Sequence, residues 1–245
     1  MSRIARLISD TGYYHVVNRG VGRQNIFMVN HDRVVFLKLL DRIIREENCV
    51  LIAYCLMDNH VHLLIRTEHG LERPMHRIFT NYALYYNKKY LRSGHLFQGR
   101  FRSEPIMDDC QLLAAVRYIH NNPQKAGICR REDYFWSSWK EYWNTGTLID
   151  PAIVLKMCGG KEGFLAFSRI DSDDQFLEIS NAAIWTDQTA AEMICQMFSL
   201  RNASELQGME MHARLRALRK IKSKGISIRQ IERLTGINRG TISRA

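Results

Sequence analysis

The sequence predicts an α+β fold: a small antiparallel sheet with helices packed on it, followed by a small all-α region. Three observations carry this reading. Strand and helix signals alternate through the first half in the order strand, helix, hairpin, helix, strand, helix, which builds a sheet covered by helices. The pattern weakens from Gly146 to Asp174. From Gln175 onward the periodicity is helical, and after Met211 the chain is strongly basic.

Each element has its own signal. Tyr13 to Asn18 is aromatic and β-branched, and reads as a strand. Phe36, Leu37, Leu40, Ile43 and Ile44 recur at helical spacing, so a helix spans about His31 to Glu47 with Asn30 as its cap. Val50 to Met57 and His60 to Arg66 are strands joined at Asp58-Asn59, which is turn chemistry. A long amphipathic helix follows over Leu71 to Tyr90, with Pro74 tolerated in its first turn. Ser93-Gly94 breaks it, and Phe101 to Met107 is the fourth strand. Asp108 and Asp109 open a further helix running to about His120, where Asn121-Asn122-Pro123 marks the end. These signals divide the chain into a domain over 1–145, a connector over 146–174 that includes Gly159-Gly160 and the acidic run 171–174, and a helical region over 175–245.

Composition limits the function. The chain has 245 residues and 46% hydrophobic side chains, enough to bury a core. A membrane helix needs about 20 apolar residues in a row, and the longest apolar stretch here is strand-length. The N-terminal ten residues lack the apolar stretch of a signal peptide, so a soluble cytoplasmic protein is expected. Six cysteines without a Cys-x-x-Cys pair point to idle thiols. The net charge of +10, from 35 Lys and Arg against 25 Asp and Glu, favours a polyanionic partner.

Two patterns can carry chemistry. In His60-Val61-His62 the strand alternation puts both imidazoles on one face, where they can chelate a divalent metal or simply cap an apolar face. Tyr118 and Asn122 stand one helical turn apart. A tyrosine hydroxyl, with a pKa near 10, is a poor nucleophile at neutral pH and needs an electrophile activated by a cation. An asparagine oxygen one turn away can complete a metal's ligand set. The plain alternative is an amphipathic helix residue and a turn residue. Tyr82, Tyr85, Tyr86 and Tyr90 share the long helix and read as core or as stacking residues. Arg77, Lys88, Lys89, Arg92, Arg100 and Arg102 around them are either phosphate contacts or a solvated face.

Several separated segments resemble one family in the right order. The stretch Ile52 to Leu64, containing Asp58-Asn59-His60-Val61-His62, is similar to the His-hydrophobic-His segment of the single-tyrosine transposases. Arg117-Tyr118-Ile119-His120-Asn121-Asn122-Pro123 resembles their tyrosine helix. Phe97-Gln98-Gly99-Arg100-Phe101, Trp136-Ser137-Ser138 and the opening Tyr14 to Gly20 resemble the subgroup associated with repeated extragenic palindromes, the REP-associated tyrosine transposases. The resemblance covers roughly residues 10 to 145. It implies a ferredoxin-like fold of the His-hydrophobic-His endonuclease class. It implies that His60 and His62, with Asn122 as third ligand, bind Mg²⁺ or Mn²⁺. It implies that Tyr118 attacks a scissile phosphate in single-stranded or hairpin DNA, leaving a 5′-phosphotyrosine link and a free 3′-OH. Related proteins are monomers or homodimers.

Residues 227–245 read as a helix-turn-helix. Ile228, Ile231 and Leu234 define one helix, Gly236 the turn, and Asn238 opens a second helix anchored by Ile237 and Ile242. Arg239, Thr241 and Arg244 are then candidate contacts to duplex DNA. Glu232 stands where such motifs usually have a small residue, and a basic hairpin that only packs is the alternative. For the whole chain the competing readings are a DNA strand transferase, a DNA-binding regulator that has lost catalysis, and a hydrolase using His60, His62 and water.

Overall fold

Four strands form one antiparallel sheet. β1 (Tyr13–Arg19) pairs with β3 (His60–Arg66) and with β4 (Arg102–Pro105), and β2 (Val50–Leu56) pairs with β3, giving the order β2-β3-β1-β4. With α1 (Asn30–Glu46) between β1 and β2, and α2 (Glu72–Lys89) between β3 and β4, this is the ferredoxin-like arrangement. A computed structural model describes residues 7–144, 147–170, 176, 187–223, 226 and 228–245, and the chain falls into two units, 1–179 and 180–245.

Strand register decides what each face carries. Val16 lies opposite Leu63, and Asn18 opposite Val61, so one face presents Val16, Val61, Leu63 and Ile65. All four are fully buried, in a core shared with Phe36 and Leu40 of α1 and Ile78 and Tyr82 of α2. Three tyrosines of α2, with Tyr90 just after its last turn, serve this packing. The Tyr82 hydroxyl donates to the Ile26 carbonyl and that of Tyr86 to the Asn25 carbonyl, while Tyr85 and Tyr90 donate to the Asp32 carboxylate. They fasten α2 to the start of α1, which is the core role rather than the stacking one.

The start of α1 differs from the expectation. Asn30 is its first helical residue and not its cap; the Asp32 side chain accepts from the N–H groups of Met28 and Val29. A buried carboxylate reaching back to two otherwise unpaired donors outweighs the local preference of Asn for the cap.

α3 (Asp109–Lys125) also runs further than the sequence suggests. Asp108 caps it by accepting from Gln111 N–H at 2.7 Å, as expected. At the other end the helix continues through Pro123. Proline cannot donate to the Ile119 carbonyl, but it sits where the ladder is already closing. Ala126 N–H bonds to Asn122, Gly127 N–H to Gln124 and Ile128 N–H to Pro123, with Gly127 at φ 69°. Ile119, His120 and Pro123 are all buried, and their packing overrides the local signal to stop.

The segment expected to be a connector is in part structured. α4 (Ala152–Met157) and α5 (Lys161–Arg169) bury Val154 and Phe164 completely in the first unit's core. Tyr142 and Phe164 stack at 4.4 Å between ring centroids. Burying side chains of this size stabilises by about 2–3 kcal/mol each, a gain a linker does not make. The acidic run 171–174 lies outside the described residues.

The second unit is helical: α6 (Asp187–Phe198), a 3-10 turn over Ala203–Gly208, α7 (Met211–Ser223), α8 (Ile228–Thr235) and α9 (Arg239–Arg244). Its core joins Ala190, Ile194, Leu206, Leu218, Ile221, Ile231, Ile237 and Ile242. Among the described residues no helix is long and apolar enough to cross a membrane.

Candidate nucleic-acid cleavage site

The other face of the sheet is polar where α3 crosses it. Register places Val17 opposite His62 and Arg19 opposite His60, so His15, Arg19, His60 and His62 share this face. The rings of His60 and His62 lie 4.9 Å apart between centroids. Tyr118 of α3 brings its ring to 5.8 Å from His62 and 5.7 Å from His15. The structure thus brings together the histidine pair and the tyrosine that lie far apart in the sequence.

Hydrogen bonds fix the histidines. Asn59 Nδ2 donates to the Arg23 carbonyl, which turns Asn59 Oδ1 toward His60 Nδ1 at 2.6 Å. An amide oxygen only accepts, so His60 Nδ1 carries the proton and its Nε2 carries a lone pair. His62 Nδ1 bonds His15 Nε2 at 3.0 Å, and the two rings stack with an interplanar angle of 11°. Burial holds all three imidazoles neutral: the pKa of His15 falls to about 3, His60 to about 4 with a smaller contribution from the Arg19 charge, and His62 well below its usual value.

Arg19 was not singled out by sequence, nor was His15. Each has a signal in hindsight: strand alternation puts both on the face that the His-x-His pair occupies in the neighbouring strand. Arg19 is 9% exposed, its Nε has no hydrogen-bond partner, and burial and the neighbouring Arg23 both depress its pKa. A buried guanidinium whose donor is unpaired is costly unless an anion completes it. Phe176 packs its ring 5.4 Å from Tyr118 and 5.9 Å from His15, and nothing local in the sequence marks it.

The remaining candidates are placed as follows. Asn122 donates its Nδ2 to the Tyr118 carbonyl at 2.9 Å, so only its Oδ1 is left to act as a ligand. Lys125, one turn beyond, holds its Nζ 4.6 Å from the centre of the Tyr118 ring. Among the described residues no group of three or more His, Cys, Asp or Glu side chains is arranged to hold a metal ion. Two neutral imidazoles on one face, with an amide oxygen on the helix that carries Tyr118, still suit a hard divalent cation that takes much of its shell from elsewhere.

The basic candidates separate into two groups. Arg77 is paired with Glu46 and Glu47, and Lys89 with Asp32, so their charges are spent within the fold. Lys88, Arg100 and Arg102 are exposed. In the second unit Arg239 is paired with Glu232, Thr241 is half-buried, and Arg244 is exposed with its Nε on the Gly240 carbonyl.

With this geometry in place, residues 9–122 match the family model of the IS200-like transposases. Over this span the chain is similar to the IS200-like transposase family. The match spans β1 through Asn122 and so contains both histidines and the tyrosine. A solved REP-associated tyrosine transposase, bound to a REP hairpin, is similar at a TM-score of 0.53 and 15% identity, covering 72% of this chain and 96% of that one. That likeness shows the fold. A solved protein of Deinococcus radiodurans R1 assigned as a transposase aligns at 16% identity over 49% of this chain and 97% of its own, with a TM-score of 0.35, too low to bear on the fold. No curated protein matches the chain.

Proposed function

We propose that this protein is a transposase that cuts and rejoins single-stranded DNA with Tyr118 as nucleophile. The observation that carries the reading is the meeting of Tyr118 with His60 and His62 on one buried sheet face. His60, His62 and Asn122 Oδ1 would hold Mg²⁺ or Mn²⁺, which when bound supplies charge neutralisation and orientation at the scissile phosphate. His60 Nε2 is ready for this role, because Asn59 holds the proton on Nδ1. His62 is ready in the tautomer that donates Nδ1–H to His15, and His15 then positions that ring.

The remaining steps belong to the side chains. Arg19, buried and unpaired at Nε, suits a non-bridging phosphate oxygen. The Tyr118 oxygen forms a bond to phosphorus as the bond to the 3′-oxygen breaks, giving a 5′-phosphotyrosine and a free 3′-OH. The link conserves the energy of the phosphodiester, so a second 3′-OH can attack it and release the tyrosine. No external energy source enters, which suits strand transfer in the cytoplasm rather than degradation. Hairpin DNA as substrate is supported by the relative that was solved with one.

The test uses Mn²⁺ and labelled hairpin oligonucleotides drawn from the gene's own neighbourhood, resolved on a denaturing gel. A slow, protease-sensitive adduct with the native chain and none with Tyr118→Phe is the expected result. Cleavage that survives in Tyr118→Phe would overturn the tyrosine mechanism in favour of a metal-activated water.

A further inference from the structure

The net charge of this protein is concentrated in a few residues. Residues 211–245 hold ten Lys and Arg against one Asp or Glu, whereas the other 210 residues hold 25 against 24. So many like charges on one small unit repel one another and lower its stability unless a polyanion neutralises them. Arg233 pairs with Asp187 of α6, and Arg239 with Glu232. Arg216, Arg219, Arg229 and Arg244 are exposed.

Packing arranges several of these charges around one short helix. α8 and α9 are joined by a tight turn at Gly236, whose φ is 70° and where a Cβ would come within 2.2 Å of Gln207 Nε2. Asn238 caps α9 by accepting from Gly240 N–H at 2.7 Å. Ile237 and Ile242 anchor the inner side of α9, while Arg239, Gly240, Ser243 and Arg244 are exposed. α7 supplies the flank: Arg219 Nε donates to the Ala245 carbonyl at 2.8 Å, and Lys222 Nζ to those of Ile242 and Ser243 at 3.2 Å. The cations Arg219, Lys222 and Arg244 therefore gather at the C-terminal end of α9.

We propose that the second unit binds duplex DNA, with α9 in the major groove and the basic flank of α7 on the phosphates beside it. A two-helix unit joined by a tight turn presents its second helix in this way, and the major groove is wide enough to admit it. The cations gathered at the C-terminal end of α9 fit a phosphate backbone that borders a groove. Contacts from these cations to phosphates supply the larger part of the affinity. The inference stands apart from the strand-transfer reading, because it uses none of the residues around Tyr118.

The experiment measures binding of the full chain to a labelled mixed-sequence duplex of three helical turns and to an unstructured single strand of equal length. Fluorescence anisotropy is read between about 50 and 200 mM salt. The native chain is expected to bind the duplex with a steep salt dependence, whatever affinity the first unit adds for the single strand. Arg216→Gln combined with Arg244→Gln should weaken duplex binding about tenfold and flatten the salt dependence by up to about two contacts' worth. Circular dichroism establishes that the variant is folded, and Arg244→Gln alone, which should reduce the slope by up to about one, covers the case where it is not. Duplex affinity unchanged in the folded variants, or single-strand affinity lost to the same extent, would overturn the inference. Tyr118→Phe should bind the duplex as the native chain does, so that failure of the strand-transfer reading is distinguishable from failure of this one.

Discussion

In the first unit the groups around Tyr118 are buried, and His15, His60 and His62 beside it are held neutral. In the second, the basic groups lie outside and are mostly left charged. His15 and His62 are almost fully buried, and Tyr118 is 3% exposed, whereas Arg216, Arg219, Arg229 and Arg244 face solvent. The contrast separates two demands that DNA makes on a protein. Bond making needs few groups, dehydrated and held to a fixed geometry. General affinity for a polyanion needs many charges, which act at a distance and tolerate loose placement. A chain that divides the two demands can keep a nearly balanced charge around the site and still be basic overall.

The sharpest test of this division is Tyr118→Phe. Cleavage should fall on the order of 10³-fold or more, while duplex affinity stays where it was. A joint loss of both would break the comparison.

Next comes the core of the second unit. Ile242 is fully buried beneath α9. Ile242→Ala should destabilise that unit by about 2–5 kcal/mol and weaken duplex binding, with hairpin cleavage by the first unit retained. Differential scanning calorimetry should show the change in one transition; a shift of a single transition for the whole chain would mean that the units unfold as one.

Arg19 sharpens the first half of the comparison, being a charge buried on the same sheet face as His60 and His62. Arg19→Gln should lower kcat/KM for hairpin cleavage about 10²-fold, the scale of losing one fixed donor to developing charge. The purely structural alternative predicts a lower melting temperature with kcat/KM unchanged in the folded fraction.

The last test is of acid stability. His15 and His120 are fully buried, and burial depresses the pKa of each to about 3 from an ordinary 6.5. The unfolded chain then binds more protons than the folded one below pH 6.5, so stability is complete above that pH and falls as the pH drops toward 3. Each contributes a slope of about 1.4 kcal/mol per pH unit. The second unit's core contains no histidine, so thermal unfolding followed between pH 7 and 5 should show the loss in the first unit. An equal acid shift in both transitions would contradict this.

Much of the site was legible before folding was considered. His60-Val61-His62 needs only strand alternation to place two imidazoles on one face, and Tyr118 with Asn122 needs only helical spacing. The Gly236 turn and Asn238 cap were readable for the same reason: both are local, and each depends on a residue type with a specific backbone or capping property. Legibility failed where a local preference met a packing force. Pro123 signals a stop, yet Ile119 and His120 are buried and α3 continues. Gly159-Gly160 signals a linker, yet Val154 and Phe164 on either side fill the core. Arg77 and Lys89 look like phosphate contacts in one dimension, and only the arrival of Glu46, Glu47 and Asp32 beside them shows that their charges are already met.

The sequence by itself determined the order of elements, the two chemistry-bearing motifs and the basic C-terminal segment, because periodicity, turn residues and charge are local properties. The tertiary structure alone decided that Tyr118 stands over the histidine pair, that His15 orients His62, that Arg19 is buried without a partner at Nε, and that Phe176 covers Tyr118 and His15. Each of those joins residues dozens of positions apart, through sheet register and through α3 packing on the strands. Contacts of that kind are set by the burial of whole faces, which no short window of sequence contains.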